Sequence, residues 1–180
     1  MITPPTFDKI FLIGMPGSGK STLAQQLKTK LKLPAFDLDQ IIETKEGFSI
    51  KQIFETKGED AFRKTETTEL QKIIQQYPQF ILATGGGTPC FHQNMELMLQ
   101  NGLVIYLDVP LNMLEKRLEY QSDRPLLQNL THDALQEKLN QIYLQRNSIY
   151  RRAHLHVQGV DIPADHVLQL IDYLKMGSPA

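Results

Sequence analysis

The stretch FLIGMPGSGKST, Phe11 to Thr22, constrains this chain more than any other. An apolar run ends at Gly14, glycines recur at 17 and 19, and Lys20, Ser21 and Thr22 follow. Gly14-x-x-x-x-Gly19-Lys20-Ser21 is the phosphate-loop pattern, with a strand pattern before it and a helical pattern after it. Glycines let the backbone curl so that several N–H groups converge, and the helix N-terminus adds its dipole. Lys20 supplies a charge for β- and γ-phosphates, and the Ser21 hydroxyl a ligand for Mg²⁺. The competing reading is a glycine-rich turn that binds no nucleotide. The motif alone leaves open whether phosphate passes to water, to a protein or to a metabolite.

Short apolar runs alternate with helical periods beyond this point. KIFLIG (9–14), LPAFDLD (33–39), FILATGGG (80–87), LVIYLDV (103–109) and AHLHVQG (153–159) read as strands. Helical patterns cover 20–32, 48–58, 59–77, 91–101, Pro110 to about Tyr120, 131–152 and 163–175. Ser49 and Gln52 form a capping-box signature, and Gly58 stops the helix they start. Alternation of this kind predicts an α/β fold with a mainly parallel sheet, whose ligands gather at the carboxyl ends of the strands. A length of 180 residues, with no internal repeat or linker, predicts one domain over 1–180. A net charge of −1 argues against a surface built for nucleic acid or anionic membrane. No apolar run approaches the roughly 20 residues of a membrane span, and the N-terminal residues lack a signal-peptide pattern. A single cysteine, Cys90, precludes an internal disulfide and fits a reducing cytoplasm.

Four further features bear on the acceptor. Asp37 and Asp39 follow the second strand; on an extended segment both point the same way, as a Mg²⁺ shell and a hydroxyl acceptor require, while the alternative is a cap for the helix that follows. Arg63 and Glu66 stand three apart on the apolar side of their helix, either as a structural ion pair or with Glu66 orienting Arg63 toward an anionic substrate. Gly85, Gly86 and Gly87 permit close approach of backbone to ligand, or serve as a hinge. Arg124 sits in a polar, proline-broken loop, and Arg146 shares a helix side with Leu139, Ile142, Tyr143 and Tyr150. A guanidinium there matches a carboxylate bidentately, although either arginine also has a structural reading.

GMPGSGKST, FDLDQIIE, SIKQIFETKGEDAFRKTE, ATGGGT, VIYLDV, RPLL and QRNSIYRRA together resemble the shikimate kinase family in order and spacing, over about residues 9–155. The resemblance implies a five-stranded parallel sheet in the order 2-3-1-4-5, a mobile lid over about 116–130, and phosphorylation of the shikimate 3-hydroxyl by ATP with Mg²⁺. It also implies a cytoplasmic monomer. By position, Gly17, Ser18, Gly19, Lys20, Ser21 and Thr22 would bind the ATP phosphates, with Ser21 and Asp37 toward the metal. Asp39 would be the base and hold substrate hydroxyls. Arg63 and Arg146 would clamp the shikimate carboxylate, and Gly85, Gly86 and Gly87 would contact the ring hydroxyls. Arg124 would close on the phosphates, and Arg117 would pack near adenine. No adenine contact is assigned in QGVDIPA (158–164).

Asp108 reads as a strand-end cap rather than a metal ligand, and His154 with His156 lacks a third ligand. A gluconate-type kinase, a nucleoside monophosphate kinase or a regulatory nucleotide-binding module would share the phosphate loop. None of them requires the glycine triplet, Arg63 and Arg146 together. If Arg124 acts on the transferring phosphate, Arg124→Ala lowers kcat by about two orders of magnitude or more and barely alters shikimate affinity. Steady-state kinetics check this, and a variant with full kcat would remove the role.

Overall fold

The computed structural model describes residues 7–119 and 131–177. In chain order the elements are β1 (Lys9–Ile13), α1 (Lys20–Leu31), β2 (Ala35–Asp37), α2 (Leu38–Glu46), α3 (Ile50–Gln76) and β3 (Phe80–Ala83). A 3₁₀ turn (Thr88–Cys90), α4 (Asn94–Asn101), β4 (Leu103–Asp108), α5 (Leu111–Leu118), α6 (His132–Tyr150), β5 (Leu155–Gln158) and α7 (Ala164–Gly177) follow. The five strands form one parallel sheet in the order β2-β3-β1-β4-β5, as the family resemblance implies.

Strands covered on both faces carry apolar residues at successive positions. Phe11 and Ile13 of β1 join Phe80, Leu82, Val104 and Tyr106 in a core closed by helices α2 to α6. Ile10 and Leu12 point the other way, into a core with Ile81, Ile105 and Leu107 that is closed by α1 and α7. The capping box forms at the start of α3, with Ser49 accepting from the Gln52 N–H. Gly58, at φ 80° and ψ 168°, breaks α3 into two helical lengths, as its residue type predicts.

The strand order places β1 between β3 and β4. Loops leaving β1, β2 and β3 therefore open side by side at one edge of the sheet, where doubly wound folds hold their ligands. Boundaries differ from expectation in three places. The helix expected over 91–101 starts at Asn94, behind the 3₁₀ turn. Tyr77, which the 59–77 helical pattern puts on one side with Phe62, Leu70 and Ile73, is instead the C-cap of α3, 37% exposed and packed on Phe36. α5 ends at Leu118, so the expected lid overlaps its last turn; Arg124 and the rest of that loop lie outside the described residues.

Leu82 is fully buried between two strands. Leu82→Ala should cost about 2–5 kcal/mol of stability. Denaturant unfolding tests this; a loss below about 1 kcal/mol would mean the core does not close around β3.

Candidate active site

The phosphate loop leaves β1 at Gly14 and enters α1 at Gly19, which adopts a left-handed conformation (φ 90°). The start of α1 has no capping side chain and no acidic residue in its first turn. By contrast Asp37 caps α2, and Thr131 caps α6 with Asp133 in its first turn. The N–H groups and dipole of α1 are thus left for an anion. Lys20, 6% exposed, donates to the carbonyls of Gly14 (3.0 Å) and Met15 (2.9 Å), and lies 3.3 Å from Ser18 Oγ. Those contacts hold the ammonium over the loop.

Asp37 and Asp39 are not alternating residues of a strand. β2 ends at Asp37, which accepts from the N–H groups of Asp39 (3.0 Å) and Gln40 (3.4 Å) as the N-cap of α2. Asp39 stands in the first helical turn. The capping alternative is therefore the observed one, because the strand is only three residues long. Both aspartates still line the same cleft. Ser21 Oγ donates to the second Asp37 oxygen, so a hydroxyl and a carboxylate meet beside the phosphate loop. Such hard oxygen donors fit Mg²⁺. Among the described residues no cluster of three or more His, Cys, Asp or Glu could hold a metal by itself, so the ion's other ligands would be phosphate oxygens and water.

A cleft of about 820 Å³ runs along this edge. The loop residues Gly17 to Thr22 line it, together with Asp37, Asp39, Thr84, Arg117 and Val160 to Pro163. Arg117 reaches across it, donating to the carbonyls of Gly17 (3.0 Å) and Val160 (2.6 Å) and pairing with Asp161 (3.2 Å). The sequence assigned no residue within 158–164; the structure places Val160 to Pro163 along the cleft.

Behind Asp39 lies a second group of side chains. Arg63 is 4% exposed and Glu66 fully buried, with Arg63 Nη1 2.9 Å from Glu66 Oε2. The Thr88 hydroxyl donates to Glu66 Oε1 at 2.5 Å, and Asn94 Nδ2 donates to the Thr88 carbonyl at 3.0 Å. Arg63 also stacks on Phe91, its Cζ 4.5 Å from the ring centre. The glycine triplet runs between these groups. A Cβ on Gly85 would lie 2.7 Å from Glu66 Oε1 and 2.8 Å from Asp39 Oδ1. One on Gly87 would lie 2.6 Å from Arg63 Nη2, and one on Gly86 3.4 Å from Arg146 Nη1. Arg146 is 9% exposed, on the buried side of α6, as its spacing predicts. The Tyr150 hydroxyl, one turn on, donates to the Gly86 carbonyl at 2.5 Å. Burial raises the Tyr150 pKa, so this donor keeps its proton. Thr88 and Tyr150 were missed in the sequence because their partners lie 22 and 64 positions away, and Asn94 because it acts through Thr88.

Three minor features resolve simply. Asp108 accepts from Tyr106 (2.9 Å) and Gln158 (3.1 Å) at the end of β4. His154 precedes β5 and accepts from the Val104 N–H at 3.1 Å, and burial lowers its pKa. Burial pushes the Cys90 thiol up to about 11, with Arg146 and Arg63 opposing the shift.

A 2-3-1-4-5 parallel sheet with a phosphate loop after its central strand, and a buried arginine–carboxylate group against the glycine triplet, is the arrangement of a P-loop kinase. The family model for shikimate kinase matches residues 16–175. A shikimate kinase of Sulfurihydrogenibium sp. is 42% identical over 92% of this chain and 97% of its own, and one of Microcystis aeruginosa is 40% identical over 90% and 84%. Crystal structures agree. Shikimate kinase from Bacteroides thetaiotaomicron superposes with a TM-score of 0.86 at 31% identity, covering 93% of this chain and 98% of that one. The Acinetobacter baumannii enzyme in complex with shikimate gives 0.84 at 34%, covering 96% and 94%. The chain belongs to the shikimate kinase family.

With its pKa near 11, Cys90 is almost wholly protonated at neutral pH, and thiolate accumulates only as pH rises toward that value. Alkylation of the folded protein at pH 7.5 should be about 100-fold slower than that of an ordinary thiol. Mass spectrometry after timed iodoacetamide treatment reads this, and labelling at the free-thiol rate would contradict the buried setting.

Proposed function

We propose that this kinase transfers the γ-phosphoryl group of ATP to the 3-hydroxyl of shikimate, giving ADP and shikimate 3-phosphate. One observation carries the reading: Gly85 passes Asp39, and Gly87 passes Arg63, with no room for a Cβ between, and Gly86 runs beside Arg146. Backbone thus meets ligand where a carboxylate and two arginines converge, beside a cleft with a phosphate loop. A small polyol acid needs those partners. Arg63 and Arg146 take its carboxylate, and the triplet and Asp39 take its hydroxyls.

Gly17 to Thr22 bind the ATP phosphates, and Arg117 with the 160–163 segment faces the base. Ser21 and Asp37 would hold Mg²⁺, which when bound offsets charge on the phosphates. Lys20 adds its charge to the N–H groups of the loop, so the transferring group meets donors already in place. Asp39 accepts hydrogen from the attacking hydroxyl. The rest is positioning, since a loose phosphoryl transition state asks little covalent chemistry of the protein. From the family resemblance, Arg124 and the lid complete the charge and exclude water. The reading carries a single cytoplasmic domain acting as a monomer on a small molecule, with no nucleic-acid or membrane partner; among the described residues no helix is long and apolar enough to cross a membrane.

ADP release from MgATP should rise strongly with shikimate and remain at background with quinate or gluconate. Stimulation by gluconate instead would keep the phosphate loop and overturn the acceptor assignment. Asp39→Asn and Arg63→Ala should weaken shikimate binding by about 100-fold, and MgATP binding by no more than about twofold. Unchanged shikimate titrations would remove both residues from the acceptor site.

A further inference from the structure

Arg63 does not present an open fork. Its Nε and Nη2 both donate to Glu59 Oε1, at 3.2 and 3.0 Å, while Nη1 takes Glu66. The Nε/Nη2 edge is one of the two that bind a carboxylate bidentately, and a carboxylate of this same chain already occupies it. Among the described residues two carboxylates, Glu59 and Glu66, pair with Arg63, while Asp39 lies against Gly85 of the triplet that Arg63 and Arg146 border. A carboxylate ligand arriving at Arg63 meets a guanidinium already shared by two carboxylates, so its binding there is favoured when one of them withdraws.

The surroundings select which one. The Glu66 side chain is fully buried and held by Thr88, and the glycine triplet packs against both Glu66 and Asp39. Arg63 itself is packed among Phe54, Phe62 and Phe91, with ring centres 5.7, 5.0 and 4.5 Å from Cζ. The Glu59 side chain is 44% exposed, and it follows the break in α3 at Gly58, where a left-handed φ of 80° interrupts the helical hydrogen bonding. Of the two carboxylates on Arg63, Glu59 is the one with solvent to move into, and it stands beside a helix break.

We propose that Glu59 is an internal competitor for the substrate's carboxylate: it fills the Arg63 fork until that carboxylate displaces it. This rests on the acceptor assignment above and deepens it. Glu59 would keep the buried guanidinium paired between turnovers and set a threshold that favours acceptors bearing a full negative charge. An uncharged ligand has no means of displacing it.

Calorimetric titration of the full chain in saturating MgADP tests this, with shikimate and its methyl ester as ligands. Glu59→Gln and Glu59→Ala should each lower the shikimate Kd by roughly three- to tenfold, the scale of one half-exposed ion pair, and leave the ester's Kd within about twofold. Weaker or unchanged shikimate binding in both variants would overturn the proposal and make Glu59 a support for Arg63. An equal gain for the ester would also overturn it, by showing a steric rather than a charge effect. Absence of shikimate binding by the unmodified protein would instead overturn the acceptor assignment, and this inference with it.

Discussion

The buried pair of Arg63 and Glu66 is the interaction on which the acceptor side depends. Buried ion pairs rarely add stability over apolar residues of similar size, because desolvation consumes most of the attraction. This one also requires Thr88 and Asn94 to satisfy its remaining oxygens and their carriers, and three glycines to leave it room. So many constraints on one pair are hard to explain by folding alone. They follow directly if a guanidinium must be held, oriented and desolvated, for a small anion.

The sheet brings that pair to the nucleotide. Parallel strands in the order 2-3-1-4-5 set the ends of β2, β3 and β1 side by side. Asp37 and Asp39, the glycine triplet and the phosphate loop therefore share one edge although they come from distant parts of the sequence. Asp39 is common to both halves: it lines the cleft that the phosphate loop enters, and it touches the backbone of the triplet. On the proposed reading, donor and acceptor sites meet at this one carboxylate. On its other edge Arg63 pairs with Glu59, whose side chain is exposed to solvent.

Local chemistry was legible in the sequence, and long-range pairing was not. The phosphate loop, the capping box at Ser49, the break at Gly58 and the i, i+3 pairing of Arg63 with Glu66 each depend on residues within a few positions. β1, β3 and β4 read correctly because residues buried on both faces leave an uninterrupted apolar run. Asp37 misled because a three-residue strand leaves no room for alternation to be read, and the cap won over the extended geometry. Tyr150 binding Gly86 spans 64 positions, and Arg117 binding Gly17 spans 100; no spacing rule reaches that far. Glu59 escaped notice for another reason. Exposed i, i+4 charges are common on helices, and only the burial of its partner gives this one meaning.

A crystal structure of the protein with shikimate and MgADP bears most directly on the claim that the triplet joins a carboxylate clamp to the phosphate site. The account predicts the carboxylate between Arg63 and Arg146, the ring against Gly85 to Gly87, and the 3-hydroxyl at Asp39 facing the β-phosphate. Shikimate with its carboxylate on Lys20, or bound away from the triplet, would contradict it.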